Sequence, residues 1–348
     1  MLKLRRGTVV GTDPLEVEVA GERRRAWADE SMVGAVEVGD ELVVNTAALD
    51  LGLGSGGFDV VHANLTRGLE GGETEPGVHV MKLNYSSLQH PVDPIEAPAD
   101  AAPRPERRIP VLVLPLHGHL APAVWAAVRT GPEGARVGFV QGAGGGLPGS
   151  LSADVSDLRD RGLLAGNVTA APSYGGELEA ISVTGALHAA ADELGWDAAV
   201  VGPGPGILGS ETRYGHGGMA ALDAAHAALA LGLPTMISPR MSAGDARPRH
   251  LGLSHHTRSV LELLLAGVEV PVPSDLAELW PPGAGSDADV VGAACGELHR
   301  SSEEAADLDG YVASGLPTRT MGRDLDEDRL FFAAPLAAGA ALGRAIDA

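Results

Sequence analysis

Up to about residue 90 the chain alternates apolar and polar positions in short runs, and beyond about residue 109 it changes to near-continuous apolar runs separated by Ala- and Leu-rich stretches. Alternation with period two marks half-buried strands. It runs over Leu4 to Val10, Leu15 to Val19, Arg23 to Ala28, Glu41 to Thr46, Phe58 to Asn64 and Val78 to Tyr85, with Gly, Asp, Pro and Asn between the runs. The pattern predicts a small antiparallel all-β domain, barrel or sandwich, over residues 1–90. His90 to Arg108 carries Pro91, Pro94, Pro98, Pro103 and Pro105, which suits neither a helix nor a central strand and predicts a linker over 91–108.

From 109 to 348 the texture is strand, Gly-containing loop, helix, repeated. Strands are expected at Ile109 to Leu114, Ala135 to Val140, Asn167 to Ala170, Ala198 to Val201, Pro234 to Ile237 and Val268 to Val272. Helices are expected at Ala121 to Arg129, Ser152 to Arg161, Leu178 to Leu194, Gly218 to Leu231 and Thr257 to Leu265. Strands apolar along their whole length, alternating with helices, predict a doubly wound, mostly parallel sheet with helices on both faces, an α/β domain. Near the end, an acidic stretch from Ser301 to Asp309 and a helix from Asp326 to Ile346, interrupted at Pro335, either complete or cap this domain or pack against a second subunit.

Composition sharpens the picture. The net charge of −21 over 348 residues repels a phosphate backbone, so no nucleic-acid partner is expected. Cys295 is the single cysteine, which excludes a disulfide framework and a thiolate zinc motif. MLKLRRGTVV lacks the apolar core of a signal peptide, and the apolar run from Phe331 to Gly343 is shorter than a membrane span. The expectation is a cytoplasmic protein with no membrane partner.

Against that acidity, Ser238 to Arg258 reads SPRMSAGDARPRHLGLSHHTR, with a local charge of +3 from Arg240, Arg247, Arg249, Arg258 and Asp245. Arginine forks match carboxylate and phosphate, and imidazoles move protons or hold metal. The segment predicts an anionic small-molecule ligand, with Arg240, Arg247, Arg249 and Arg258 binding it and His250, His255, His256 and Asp245 as catalytic candidates. Ligands of open parallel sheets bind beyond the carboxyl ends of the strands. There the chain places Pro115-Leu116-His117-Gly118-His119, the glycine loop Gly142 to Gly146, and the run from Gly202 to Gly218. That last run adds Gly204, Gly206, Ser210, Thr212 and Arg213 to the ligand-binding candidates. His117, His119 and His216 are candidate ligands of a divalent metal, the one cofactor suggested. Neither glycine loop has Walker A or dinucleotide spacing. The vicinal pair His255 and His256 is expected to send only one ring into the site, with Ser254 as N-cap of the helix. Glu177 and Glu179, after Gly175-Gly176, are read either as catalytic carboxylates or, more simply, as first-turn acids of the helix that starts near Leu178.

GPGPGILGSETRYGHGG, SPRMSAGDARPRHLGLSHHTR, GGELEAISVTGALHAA and TMGRDLDEDRLFF together resemble an uncharacterised, mainly actinobacterial family labelled domain of unknown function 3866. The resemblance implies shared architecture and a bacterial setting, and it assigns no activity. Relatives carry an Asp-Gly loop where this chain has Gln141-Gly142-Ala143-Gly144. Three functional classes follow: a hydrolase or transferase acting on an anionic metabolite, a non-catalytic anion-binding or regulatory protein, and a structural homodimer with the Arg/His segment at its interface.

Overall fold

The computed structural model describes residues 2–52, 56–72, 78 and 80–346. The chain divides into two compact units, Met1–Val92 and Asp93–Ala348.

In the first unit β1 (Leu4–Thr12), β2 (Leu15–Val19), β3 (Glu22–Trp27), a short helix α1 (Glu30–Val33), β4 (Glu41–Asn45), a second short helix α2 (Ala47–Asp50) and β5 (Asp59–Asn64) build a closed barrel in the order β1-β2-β3-β5-β4. β4 closes the ring on β1, and β3 and β5 are a parallel pair among otherwise antiparallel ones. The period-two pattern turns Val9, Val17, Val19, Leu42, Val44 and Val61 inward as the core. Ala20 and Gly21, at φ 52° and 83°, make the tight turn between β2 and β3, the two-positive-φ turn whose twist suits a hairpin. β6 (Val80–Lys82) and β7 (His90–Val92) form a separate antiparallel ribbon. The run read as Val78 to Tyr85 is thus shorter than expected, and position 79 lies outside the described residues.

The second unit follows with β8 (Val111–Val113), α3 (Leu120–Thr130), β9 (Val137–Gly142), α4 (Ala153–Asp160), β10 (Asn167–Ala170), β11 (Leu178–Ala180), α5 (Val183–Asp192), β12 (Ala198–Pro203), α6 (Ala220–Ala230) and β13 (Thr235–Ile237). It continues with the short strands β14 (Met241–Ser242) and β15 (Gly252–Leu253), then α7 (His255–Leu263), β16 (Glu269–Pro273), α8 (Leu276–Leu279), α9 (Asp287–Cys295) and β17 (Arg300–Glu304). Last come α10 (Leu308–Ala313), the hairpin strands β18 (Arg319–Thr320) and β19 (Arg323–Asp324), and α11 (Arg329–Arg344). Eight strands form one sheet in the order β11-β10-β9-β12-β8-β13-β16-β17, every pair parallel. Alternate residues of β8 feed two cores. Val111 and Val113 pack under α5, α6, α7 and α9, whereas Leu112 and Leu114 pack under α3 and α11. Helices therefore cover both faces of the sheet, as the continuous apolar strands predict.

Two readings of the sequence change here and one open alternative is resolved. The helix expected over Leu178 to Leu194 is instead strand β11 followed by α5, whose N-cap Ser182 accepts from the Gly185 N–H. The acidic stretch from Ser301 completes the sheet as its edge strand β17. α11 runs unbroken through Pro335, because close packing on α3 holds it there: a Cβ on Gly339 would run into the Ala123 carbonyl. Residues 93–108 lie along the α/β unit, with Ile95 N–H donating to the Glu179 carbonyl and Arg107 paired with Asp197 at 3.0 Å. Among the described residues no helix is long and apolar enough to cross a membrane.

Candidate functional site

Strand order decides where the loops meet. From β8 the chain leaves through α3, which packs on one face of the sheet, and from its neighbour β13 it leaves through α7, on the other. β9 and β12 diverge in the same way, through α4 and α6. At such switch points the loops beyond the carboxyl ends open away from each other and leave polar groups facing one region. Hydrogen bonds tie the four loops together there. His119 Nδ1 lies 2.9 Å from Ser238 Oγ, joining the loops after β8 and β13. The Gly146 N–H donates to the Pro205 carbonyl at 2.6 Å, joining those after β9 and β12. A cavity of about 140 Å³ lined by Leu114, Gly142, Val183, Gly202 and Ala220 adjoins the β9–β12 switch.

The densest chemistry sits between the loops after β12 and β13. His216 and His256 stack with ring centres 3.6 Å apart and planes within 4°. His255 lies 5.3 Å from His216 and 4.5 Å from His256, and His250 lies 4.9 Å from both His255 and His256. Both vicinal rings thus join the cluster, contrary to the expectation that only one would. They stand in the first turn of α7, where a 100° step between neighbours leaves each ring room to swing inward. Ser254 caps that helix as expected, its Oγ accepting from the His256 N–H while lying 2.8 Å from His250 Nδ1. Loss of a cap costs about 1 kcal/mol. Ser254→Ala is therefore expected to lower stability by about 1–2 kcal/mol in urea unfolding, since His250 loses a partner as well.

Arg240, only 3% exposed, donates from Nη1 to His256 Nδ1 at 3.0 Å. Its nearest carboxylate is Asp245 at 3.7 Å, and Met321 Sδ, at the tip of the β18–β19 hairpin, lies 3.7 Å from Nη2. Asp245 is committed elsewhere, to a two-pronged pair with Arg247 at 2.7 and 2.9 Å. Burial alone would raise the Asp245 carboxyl, but Arg247 holds it well below the usual carboxylate range. Arg323 reaches the same carboxylate at 3.8 Å and Asp328 at 3.1 Å. Arg249 lies 3.7 Å from the exposed Glu211. Three buried guanidinium nitrogens, Arg240 Nε, Arg249 Nε and Arg323 Nη2, make no hydrogen bond, and neither do His216 Nδ1 and His255 Nε2.

Burial, followed by the field of nearby charge, keeps the imidazoles neutral. His250 falls to about 3, His255 to about 4 and His256 to about 2, and His216 is lowered as well, with Arg240 among the causes for each. Arg240 itself falls to about 10 through burial and the nearby Arg247, so it remains charged at neutral pH. His119, fully buried against Phe331, falls to about 3 through burial and then Arg240. Above an unfolded pKa of about 6.5 His119 is neutral in both states and adds no pH dependence. Below it the unfolded chain takes up a proton that the folded chain refuses, so stability falls until pH reaches about 3. His119→Gln is expected to flatten the acid limb of a stability–pH curve by about 1.4 kcal/mol per pH unit over that window.

The remaining candidates sort by position. His117 is apart from His216: its Nδ1–H donates to the Pro203 carbonyl at 3.0 Å and its Nε2 accepts from Ser152 Oγ at 2.7 Å. The structure therefore does not bring His117, His119 and His216 together as one ligand set; the partners of His216 are His255 and His256. Gly204 is a packing glycine, where a Cβ would meet the Gly146 carbonyl, and Gly206 takes φ 73°. Ser210 and Thr212 bond each other at 2.8 Å in the exposed loop tip, where Arg213 pairs with Glu262. Arg258 is exposed on α7. Glu177 and Glu179 are not first-turn acids: Glu177 accepts from the Asn167 N–H, and Glu179, in β11, accepts from Thr169 Oγ1 and the Gly175 N–H. Arg323, Asp328 and Met321 were not among the sequence candidates. Their segment, TMGRDLDEDRLFF, had marked the family resemblance alone.

No curated protein and no solved structure matches the chain. The profile of the family described as Protein of unknown function (DUF3866) matches residues 25–339, and the chain belongs to that family.

Proposed function

We propose that this chain is an enzyme, a hydrolase or transferase, acting on a small metabolite that carries a phosphate or carboxylate group. The observation that carries the reading is the pair of buried guanidinium N–H groups, Arg240 Nε and Arg249 Nε, with no hydrogen-bond partner, beside Arg323, whose Nη2 has only a 3.8 Å ion-pair contact to Asp245. A buried donor left unmet costs about 1–3 kcal/mol, more when charged, and an anion supplies the missing acceptor. The N-terminus of α7 adds favourable dipole to the same place. In the metal-free chain His255 and His256, beside that anion, are the acid/base groups, with His250 against both rings. A second reading, a non-catalytic anion-binding protein, is favoured by how far burial depresses His250, His255 and His256, since imidazoles at about 2–4 are weak bases at neutral pH. In the catalytic reading the bound anion raises them toward neutrality.

The test is a thermal-shift series on tag-free protein with inorganic phosphate, phosphomonoesters and di- and tricarboxylates, followed by product analysis on whatever stabilises. Binding raises Tm by mass action. Arg249→Ala is expected to fold normally and to lose most of the shift. Stabilisation without turnover selects the second reading, and no shift from any anion removes both.

A further inference from the structure

We propose that His216, His255 and His256 together hold one divalent transition-metal ion of the zinc class, an inference that rests on the reading of this region as an anion site. One ring nitrogen of each lies within 4.8 Å of those of the other two. The donor set is what a catalytic zinc site uses, three imidazoles with a fourth position left over for water or substrate. All three rings are neutral, the protonation state a metal requires. His216 is oriented as metal-bound histidines are: its Nε2–H donates to the Arg213 carbonyl at 3.1 Å, which fixes the tautomer and leaves the lone pair on Nδ1. That Nδ1 is buried and without a partner, as is His255 Nε2, and the His216 ring as a whole is only 6% exposed. The His216 Nδ1 lone pair, buried and met by no donor, is the second, independent sign of a bound cation.

Two features define what binding must do. Nitrogens around one ion at about 2.1 Å lie roughly 3.4 Å apart, so the three must close by about an ångström. The near-parallel stack of His216 and His256 means that their in-plane lone pairs do not yet point at one spot. His255 is not stacked on His216 but stands at 77° to it, and His256 joins by turning its ring. Turning His256 breaks the 3.0 Å bond from Arg240 Nη1 and returns that guanidinium to the anion. Metal and anion are therefore expected to bind cooperatively. Magnesium and calcium are the wrong ions, because no carboxylate belongs to the set. Cys295, the last residue of α9, is buried in the core and does not belong to the set.

The experiment titrates chelator-stripped, tag-free chain with Co²⁺ and reads visible d–d absorption, with Zn²⁺ as competitor. One equivalent of Co²⁺, displaced by Zn²⁺, is expected. His216→Ala and His255→Ala should each weaken it at least about 100-fold, with His188→Ala unchanged. Should the variants misfold by circular dichroism, the wild-type chain still decides: bound Co²⁺ must broaden the ring protons of His216, His255 and His256, with their neighbour His250, far more than those of His188. Absence of bound Co²⁺, or binding that survives both substitutions, overturns the metal site. Phosphate binding measured calorimetrically on the stripped chain separates the two ideas. If phosphate binds and Co²⁺ does not, the anion reading stands without its metal; if Co²⁺ binds and no anion does, the metal site stands and the anion clamp falls.

Discussion

Arg240→Met is expected to lower the affinity for phosphate, or for whichever anion proves strongest, by about 100-fold while leaving the chain folded. A charge-assisted hydrogen bond contributes about 1.5–3 kcal/mol, and each 1.4 kcal/mol is a factor of ten. Arg240 is the most deeply buried cation of the group and holds an unmet Nε–H there. Met preserves most of the volume, and Asp245 keeps its pair with Arg247, so the substitution strands no carboxylate. The same change has a second readout. Arg240 is among the groups that depress His119, His216, His250, His255 and His256, so all five should titrate higher in the variant, by histidine-resolved NMR. Unchanged affinity together with raised histidine pKa values would show that Arg240 sets the field without touching the ligand, and the clamp would have to be rebuilt around Arg249 and Arg323.

The architecture was legible in the sequence wherever local pattern and tertiary role agreed. Asn167 to Ala170 is a strand in both, and the Ser254 cap follows from the residue types alone. Among the strands that the pattern does not reveal are those at the two edges of the main sheet. Arg300–Glu304 has no apolar residue for the period to register, since β17 has a strand neighbour on one side only. Leu178–Ala180 is made of residues that favour helices, and only pairing with β10 makes it a strand. The site divides in the same way. Strand order implies that loops after β8, β9, β12 and β13 meet, and the four loops do so. Which imidazole touches which is set by loop conformation, which carries no period. Hence His216 was grouped with His117 and His119 on loop position, whereas its ring lies on His256. Arg323 and Asp328 lie some eighty residues beyond the arginine segment they support, in a charged stretch with no local signal of burial.

Asp328→Ala should be the most damaging single change near the site, costing about 3–5 kcal/mol, because it breaks a buried charge pair by removing one partner. Asp328 is 1% exposed and accepts from Ser242 Oγ at 2.5 Å, the Ala243 N–H at 2.8 Å and Arg323 Nε at 3.1 Å. Alanine leaves a buried N–H and a largely buried guanidinium together without their acceptor, and Arg323 keeps only the longer contact to Asp245 at 3.8 Å. The damage spreads into the site, since Ser242 Oγ in turn accepts from the Asp245 N–H at 2.9 Å. With that anchor loose, the segment from Met241 to Arg247 no longer holds Arg240 and Asp245 in register. Anion affinity should therefore fall together with stability, unlike in Arg240→Met, where affinity falls and stability holds. Asp328→Asn, which keeps the shape and one acceptor oxygen, should recover part of both. Urea unfolding at constant m-value with parallel phosphate calorimetry reads the two effects. Should Asp328→Ala lose less than about 1 kcal/mol, the Asp328–Arg323–Asp245 chain is not what supports the arginine segment, and the helix cap at Ser254 becomes its principal anchor.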